Sequence, residues 1–202
     1  MDMKKLMTLA LAVALFTAVS CDDELRGFRS VLIEEGTIGS LTWTLFNDGV
    51  LTIRGDGEIT DYTSDDSQPW ASNNKKIREV VFEGDVTGIG AHTFSGCSNM
   101  KSITLPSAVM KIGAAAFFNC SSLTEIIIPE DVATIGLSAF HGCSKLSKVV
   151  VLAVVPPTLA EWNFTTNGDT LYVPAVSAYN ANTAWKSVFS QIEEYIAPTP
   201  VV

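Results

Sequence analysis

Apolar residues return at fixed positions along the middle of the chain, at an interval of 23 residues. Ile77, Met100, Leu123 and Leu146 mark one position, Val80, Ile103, Ile126 and Val149 a second, and Phe82, Leu105, Ile128 and Val151 a third. The second and third positions lie two residues apart, a period that marks a short strand whose first and third residues point inward. Val86, Val109, Val132 and Val155 supply a further column, followed by an Ile-Gly pair and a small-residue turn ending on Phe94, Phe117 or Phe140. Three copies of the closing phrase, Ile89–Cys97, Ile112–Cys120 and Ile135–Cys143, keep the same 23-residue spacing. A unit of this size cannot bury its own apolar face, so successive units must stack into a solenoid around one continuous core. Each glycine of the Ile-Gly pair is expected at a tight bend, where a residue without Cβ costs least. Pro106 and Pro129 close two of the strands, where a missing amide donor matters least.

The pattern changes on either side of the repeats. Leu41–Phe46 and Val50–Ile53 are β-rich and flank Asn47-Asp48-Gly49, which predicts a hairpin with a turn tolerant of positive φ. Residues 55–74 read as a polar loop anchored by Trp70. Pro156-Pro157, Trp162 and Phe164 make the next coil irregular, but Leu171-Tyr172-Val173-Pro174 repeats the strand ending and reads as a fifth parallel strand. Trp185, Val188, Phe189 and Ile192 fall at i, i+3, i+4 and i+7, which predicts an amphipathic helix plugging the open end of the stack. Pro198 to Pro200 mark a frayed tail.

The N-terminus reads as an address. Met1 to Lys5 is a short basic start and Leu6 to Val19 an apolar and threonine run, with Ser20-Cys21 following at once, the pattern of a secretory signal peptide. The run is short for a bilayer span of ~20 residues and acids rather than basic residues follow it.

Two resemblances give these patterns a context. Ala18-Val19-Ser20-Cys21 resembles the lipobox of bacterial lipoproteins, with Ala18 and Val19 where leucine and a small residue are usual. That implies a lipidated Cys21 and membrane attachment by a lipid anchor, with more than one acyl chain making attachment stable. Cys21-Asp22-Asp23-Glu24 resembles the acidic signal that directs lipoproteins of the Bacteroidetes to the outer face of the outer membrane, whereas in other Gram-negative bacteria the aspartate implies inner-membrane retention. The repeat phrase Ile-Gly-x-x-x-Phe-x-x-Cys-x-x-Leu-x-x-Ile-x-Ile-Pro is similar to the BspA-like leucine-rich repeats of Bacteroides and oral-bacterial surface proteins. Trp43-Thr44-Leu45 through Gly55-Asp56-Gly57 to Pro69-Trp70 resembles the N-terminal cap of that family, and Leu171-Tyr172-Val173-Pro174 with Tyr179 and Trp185 its C-terminal cap. The expected fold is a β-rich α/β leucine-rich-repeat solenoid of right-handed 23-residue coils. It should have about five short parallel strands, an N-terminal β-hairpin cap and a C-terminal helical cap. The expected organisation is a lipoprotein signal peptide over 1–20, a lipid-anchored tether over 21–30, an N-terminal β cap over 31–76, repeats over 77–174, and a C-terminal cap and tail over 175–202. The family resemblance implies adhesion to host matrix proteins or other cells.

Charge narrows the partners. The chain carries 13 Lys and Arg against 22 Asp and Glu, and loss of residues 1–20 removes Lys4, Lys5 and Asp2, leaving 11 against 21 and a net charge of −10. No basic stripe is present to displace counterions from a phosphate backbone, so nucleic acid is not expected as a partner.

The residue types that carry catalysis do not assemble in the pattern. No nucleophile–base pair, paired carboxylates or metal-ligand spacing is visible, so neither enzyme activity nor a cofactor or metal is expected. Cys97, Cys120 and Cys143 share one repeat position and read as a buried column of small hydrophobes. A disulfide between neighbouring coils is within reach but leaves one thiol over. His92 and His141 fall at different repeat positions and read as turn or solvated residues. Asp56, Glu58, Asp61, Asp65 and Asp66 are crowded but lack the alternating spacing of an EF-hand loop and read as a solvated acidic loop.

The candidate binding face is the outer side of the sheet. The residue between each inward pair points out, which places Val81, Thr104, Ile127, Val150 and Tyr172 in one row, bordered by Glu79, Ser102, Glu125, Lys148 and Thr170. An apolar row with a polar border is the kind of patch that marks interaction sites, and β-branched ladders also occur on exposed strands because they pair well. Trp43, Trp70, Trp162 and Trp185 all fall in the flanks, where bulky groups cover the ends of a short solenoid, and stacking against a sugar is the alternative for any one of them. These features fit a non-catalytic surface-binding protein of adhesion type, anchored in the outer membrane at the cell surface, with a host matrix or other surface protein as partner. The alternatives are a glycan-binding accessory protein of a polysaccharide-uptake system, using clustered aromatics, or a structural surface component.

Overall fold

The computed structural model describes residues 30–165 and 170–197. The expected signal peptide over 1–20, the expected lipidation site Cys21, the rest of the expected tether up to residue 29 and the tail over 198–202 lie outside the described residues.

The N-terminal cap is an antiparallel meander. Strands β1 (Leu32–Ile38), β2 (Leu41–Phe46) and β3 (Val50–Arg54) pair in sequence order. The β2–β3 hairpin forms on the expected turn. Gly49 takes φ 88° and its amide donates to the Phe46 carbonyl at 3.0 Å, while the Asp48 carboxylate accepts from the Val50 amide at 3.0 Å. Strict alternation in β2 buries Leu41, Trp43 and Leu45. The cap is larger than a hairpin, because β1 adds a third strand beside β2. After the short strand β4 (Gly57–Glu58) and a 3₁₀ turn over Ala71–Lys76, strand β5 (Glu79–Glu83) pairs in parallel with β3, and this is where the cap becomes solenoid.

Most of the later parallel strands lie in two sheets. One contains β8 (Glu125–Ile128), β10 (Lys148–Val151), β12 (Thr170–Val173) and β13 (Gln191–Glu194) in spatial order. The other holds β4, β6 (Val86–Ile89), β7 (Lys111–Ile112), β9 (Thr134–Ile135) and β11 (Thr158–Leu159). The second sheet is absent from the sequence reading because most of its strands are two residues long, too short to show a period. Register confirms the stacking: Lys111 faces Thr134 in one sheet and Glu125 faces Lys148 in the other. The spacing drifts in the irregular coil, where Thr134 faces Thr158 and Lys148 faces Thr170.

Three further departures separate the structure from the sequence reading. The segment Ile103–Leu105 occupies the strand position with both end residues buried, yet forms no ladder, so the expected row of five parallel strands is interrupted there. Pro106 withholds an amide at its end, but Pro129 does the same after β8 without loss of the ladder, so proline alone does not explain the gap. At the C-terminus, the expected single helix is two short ones, α1 (Val176–Ala181) and α2 (Thr183–Val188), with Asn182 capping the second through its side-chain oxygen. The helix stops before Ile192, and Gln191–Glu194 instead pairs in parallel with β12 as an extra strand. Val155 leaves the valine column and is 77% exposed, because the irregular coil has slipped by one residue: Thr158, rather than Pro157, stands opposite Thr134.

The core is an aromatic ladder. Trp70, Phe94, Phe117, Phe140 and Phe164 stack at successive centroid separations of 6.0, 5.5, 5.1 and 4.8 Å. Trp43 packs edge-on to Trp70 at one end, and Phe189 meets Phe164 edge-on at 5.2 Å at the other. Each such pair contributes ~0.5–1.5 kcal/mol beyond the area it buries. The glycines that precede these rings do not bend the chain. A Cβ on Gly113 would lie 2.4 Å from the Ala91 amide nitrogen, and one on Gly136 would lie 2.4 Å from that of Ala114. Close approach of one coil's backbone to the next therefore demands glycine here. The tight bend falls two residues later, at His92, Ala115, Ser138 and Trp162, all with φ between 51° and 58°.

Candidate functional site

The expected outward row is not carried by one sheet: Val81 lies in β5 beside the cap strands, Thr104 in the segment without a ladder, and only Ile127, Val150 and Tyr172 share the sheet of β8, β10 and β12. Thr104 and Ile127 are exposed, Ile127 at 39%, while Val81 and Tyr172 are half-buried. Val150 is the correction: it stands in register between Ile127 and Tyr172 and has no exposed surface, so it cannot serve as a contact residue on this face.

The bordering row is built on polar pairs. Lys148 Nζ lies 2.6 Å from Glu125 Oε1 across β10 and β8, and this hydrogen bond raises the lysine pKa. Thr170 donates its hydroxyl to Gln191 Oε1 at 3.1 Å. Farther toward the N-terminus, Arg54 and Glu83 form an ion pair across β3 and β5. These exposed pairs fix side chains along the border and contribute little stability, in the range of ~0–1 kcal/mol each.

The acidic loop has structural work. Asp56 Oδ1 accepts from the Asp85 amide at 2.8 Å and Asp61 Oδ1 from the Ala91 amide at 2.7 Å. Glu58 and Asp61 both face Lys111 Nζ, at 3.5 and 3.6 Å, and Asp65 meets His92 Nδ1 at 2.6 Å. The loop thus supplies acceptors at the first coil of the stack, where no preceding coil can. His141 is exposed and stacks on Phe118 at 5.7 Å, apart from His92 in role as well as in repeat position.

The three cysteines of the repeats are buried free thiols in one column. Cys120 Sγ donates to the Phe94 carbonyl at 3.2 Å and Cys143 Sγ to the Phe117 carbonyl at 3.1 Å. Burial pushes the Cys97 and Cys120 thiols well up, which keeps them neutral.

The tryptophans divide. Trp43, Trp70 and Trp185 pack in the caps as expected, and Trp70 and Trp185 donate their indole N–H to the Thr93 and Pro157 carbonyls at 3.0 and 2.8 Å. Trp162 does not pack: it is 72% exposed. Its place in the flank points to cap packing, with a glycan platform as the alternative. The available signal was Phe164, which takes the place of Phe140 in the ladder and thereby puts Trp162 at the turn position of Ser138.

With this geometry in place, the chain can be compared with known proteins. Residues 71–160 match the family described as BspA type Leucine rich repeat region, in 6 copies. Among solved structures, the chain is similar to a leucine-rich repeat protein from Eubacterium ventriosum, with 24% identity and a TM-score of 0.54 over 75% of this chain and 45% of that one. It is also similar to the pneumococcal vaccine antigen PcpA, with 15% identity and a TM-score of 0.48 over 81% of this chain and 48% of that one. The chain therefore spans about half the length of either solved relative, 45% and 48%. Curated proteins give no match. The Eubacterium likeness shows the fold, a leucine-rich repeat with parallel strands in sheets and few helices, and the match over residues 71–160 is to repeats of BspA type.

Proposed function

We propose that the protein is a non-catalytic binding scaffold of adhesion type, held by lipid at Cys21 on the outer membrane and facing the cell exterior. Right-handed coils of 23 residues carry its contact face along the side of the stack that holds β5, β8 and β12. The observation that carries this reading is the outward row itself. Thr104 and Ile127 stand open on adjacent coils, with Val81 and Tyr172 half-exposed at either side and an ordered polar border including Lys148 and Glu125. A row of apolar and hydroxyl side chains held on stacked coils suits a protein partner, since it offers area at little cost of ordering. The acidic balance of the chain favours partners that are not themselves strongly acidic.

The test is binding of the full chain to immobilised host matrix proteins, with Ile127→Lys as control. Ile127 is exposed, so this change should alter stability by no more than ~0.5 kcal/mol. Saturable binding that Ile127→Lys abolishes supports the sheet face; binding indifferent to the substitution, or none, refutes it. The anchor is tested separately by Cys21→Ser, which should move the protein from the detergent phase to the aqueous phase.

A further inference from the structure

Trp162 is the residue that the fold does not explain. The same turn position holds His92, Ala115 and Ser138 in the preceding coils, and all four take a left-handed backbone near φ 55°. That conformation disfavours bulky residues. The aromatic ladder gains nothing from Trp162, because Phe164 fills the rung and Trp185 and Phe189 close the end behind it. The largest side chain in the alphabet thus stands at a strained turn with 72% of its surface in solvent, while the other three tryptophans are buried.

Beside the indole lies a cleft of about 390 Å³ between the segment 159–162 and helix α2. Leu159, Ala184 and Val188 line it with apolar side chains, and Glu161 and Ser187 are among its lining residues. A volume of this size falls within the range of small-ligand sites. We propose that this cleft is a carbohydrate subsite in which Trp162 stacks against the apolar face of one neutral pyranose residue.

The chemistry of the lining selects that ligand. A pyranose ring has C–H groups on one face and hydroxyls around its rim, and an exposed indole offers an electron-rich surface for the C–H face. The Glu161 carboxylate is exposed and makes no ion pair among the described residues, so it can accept hydrogen bonds from two adjacent rim hydroxyls. Ser187 donates its proton to the Ala184 carbonyl at 2.8 Å and keeps its oxygen lone pairs for a third hydroxyl. The formal charge of −9 and the carboxylate in the cleft oppose anionic or sulfated polysaccharides, which leaves neutral sugars. The subsite is separate from the sheet face and stands or falls without it.

The experiment is titration of the full chain with neutral gluco-, manno- and xylo-oligosaccharides, followed by tryptophan emission and calorimetry. The proposal expects saturable binding to at least one of these, with a blue shift as the indole leaves water. Trp162→Ala should weaken binding at least ~10-fold, the loss of one stacking contact, while Trp162→Phe retains part of it and Glu161→Gln costs less than Trp162→Ala. Ile127→Lys should leave sugar binding unchanged whatever it does to protein binding. The unfolding midpoint of Trp162→Ala should match the wild type, which separates a lost platform from a lost fold. Absence of saturable binding to all three sugar series, or binding unaffected by Trp162→Ala, overturns the proposal. So does emission that responds only to a lysine-rich peptide, since the ring would then be holding a cation.

Discussion

The coil closing on Phe140 and the coil closing on Phe164 share a backbone plan and differ in what they spend on it. Both place a left-handed residue two positions before the ring, Ser138 in one and Trp162 in the other, and both stack the ring on its predecessor at about 5 Å, 5.1 and 4.8 Å. In the first coil every other position follows the 23-residue plan. In the second, Val155 swings out to 77% exposure, Asn163 enters the buried wall to accept from the Ala139 amide at 3.2 Å, and Trp162 faces solvent. The comparison separates positions that the stack dictates from positions it leaves open. Rings, close-approach glycines and inward strand residues are dictated by the neighbouring coil. The turn residue is not, and it is where the irregular coil places chemistry that the regular ones lack.

The largest effect should come from the dictated ring. Phe117 is buried with stacked rings on both sides, and Phe117→Ala should destabilise by ~3–5 kcal/mol in urea unfolding. Phe164 is only partly buried, so Phe164→Ala should cost distinctly less. Equal costs would mean that the two coils are alike after all.

Gly113→Ala comes next. Its Cβ would meet backbone atoms of the previous coil at 2.4 Å, which no rotamer can relieve, and a loss of ~1–3 kcal/mol or more is expected in urea unfolding. Gly39→Ala has open space but φ +59°, so it should cost only ~1 kcal/mol. A mild Gly113→Ala would show that the coils are less tightly apposed than the register indicates.

The thiol column gives a pH test. The folded Cys97 and Cys120 pKa values are raised by burial above the ordinary 9.0, so the unfolded chain ionises first. Stability from these groups is fully present below 9.0 and declines as pH rises above it toward the raised folded values. Replacing both by alanine should remove part of that alkaline decline, measured as the change of urea midpoint with pH. The smallest effect belongs to the border: Lys148→Ala should cost at most ~1 kcal/mol, and less in high salt.

Much of this was legible in the chain. Inward strand residues such as Ile126 and Ile128 were visible because a period of two over a buried face leaves a strong mark, and the Asp48-Gly49 turn announced its hairpin. The second sheet was not, since Lys111–Ile112 and Thr134–Ile135 are pairs rather than patterns. Strand β13 was hidden because Ile192 continues the helical spacing of Trp185 and Phe189, and only pairing with β12 reveals that it has left the helix. On the candidate face, alternation orients each strand residue but carries no information on how much of its side chain is covered, which is why Val150 misled. Trp162 was misread because hydrophobic size predicts burial, whereas its place at a turn is set by register alone.

The central claim is that the stack buries three tryptophans and leaves Trp162 outside. Acrylamide quenching of tryptophan emission tests it directly, comparing the wild type with Trp162→Phe. The account predicts a strongly quenched component in the wild type that disappears in Trp162→Phe, with the remaining emission protected; a quenchable component that survives the substitution, or none in the wild type, would contradict it.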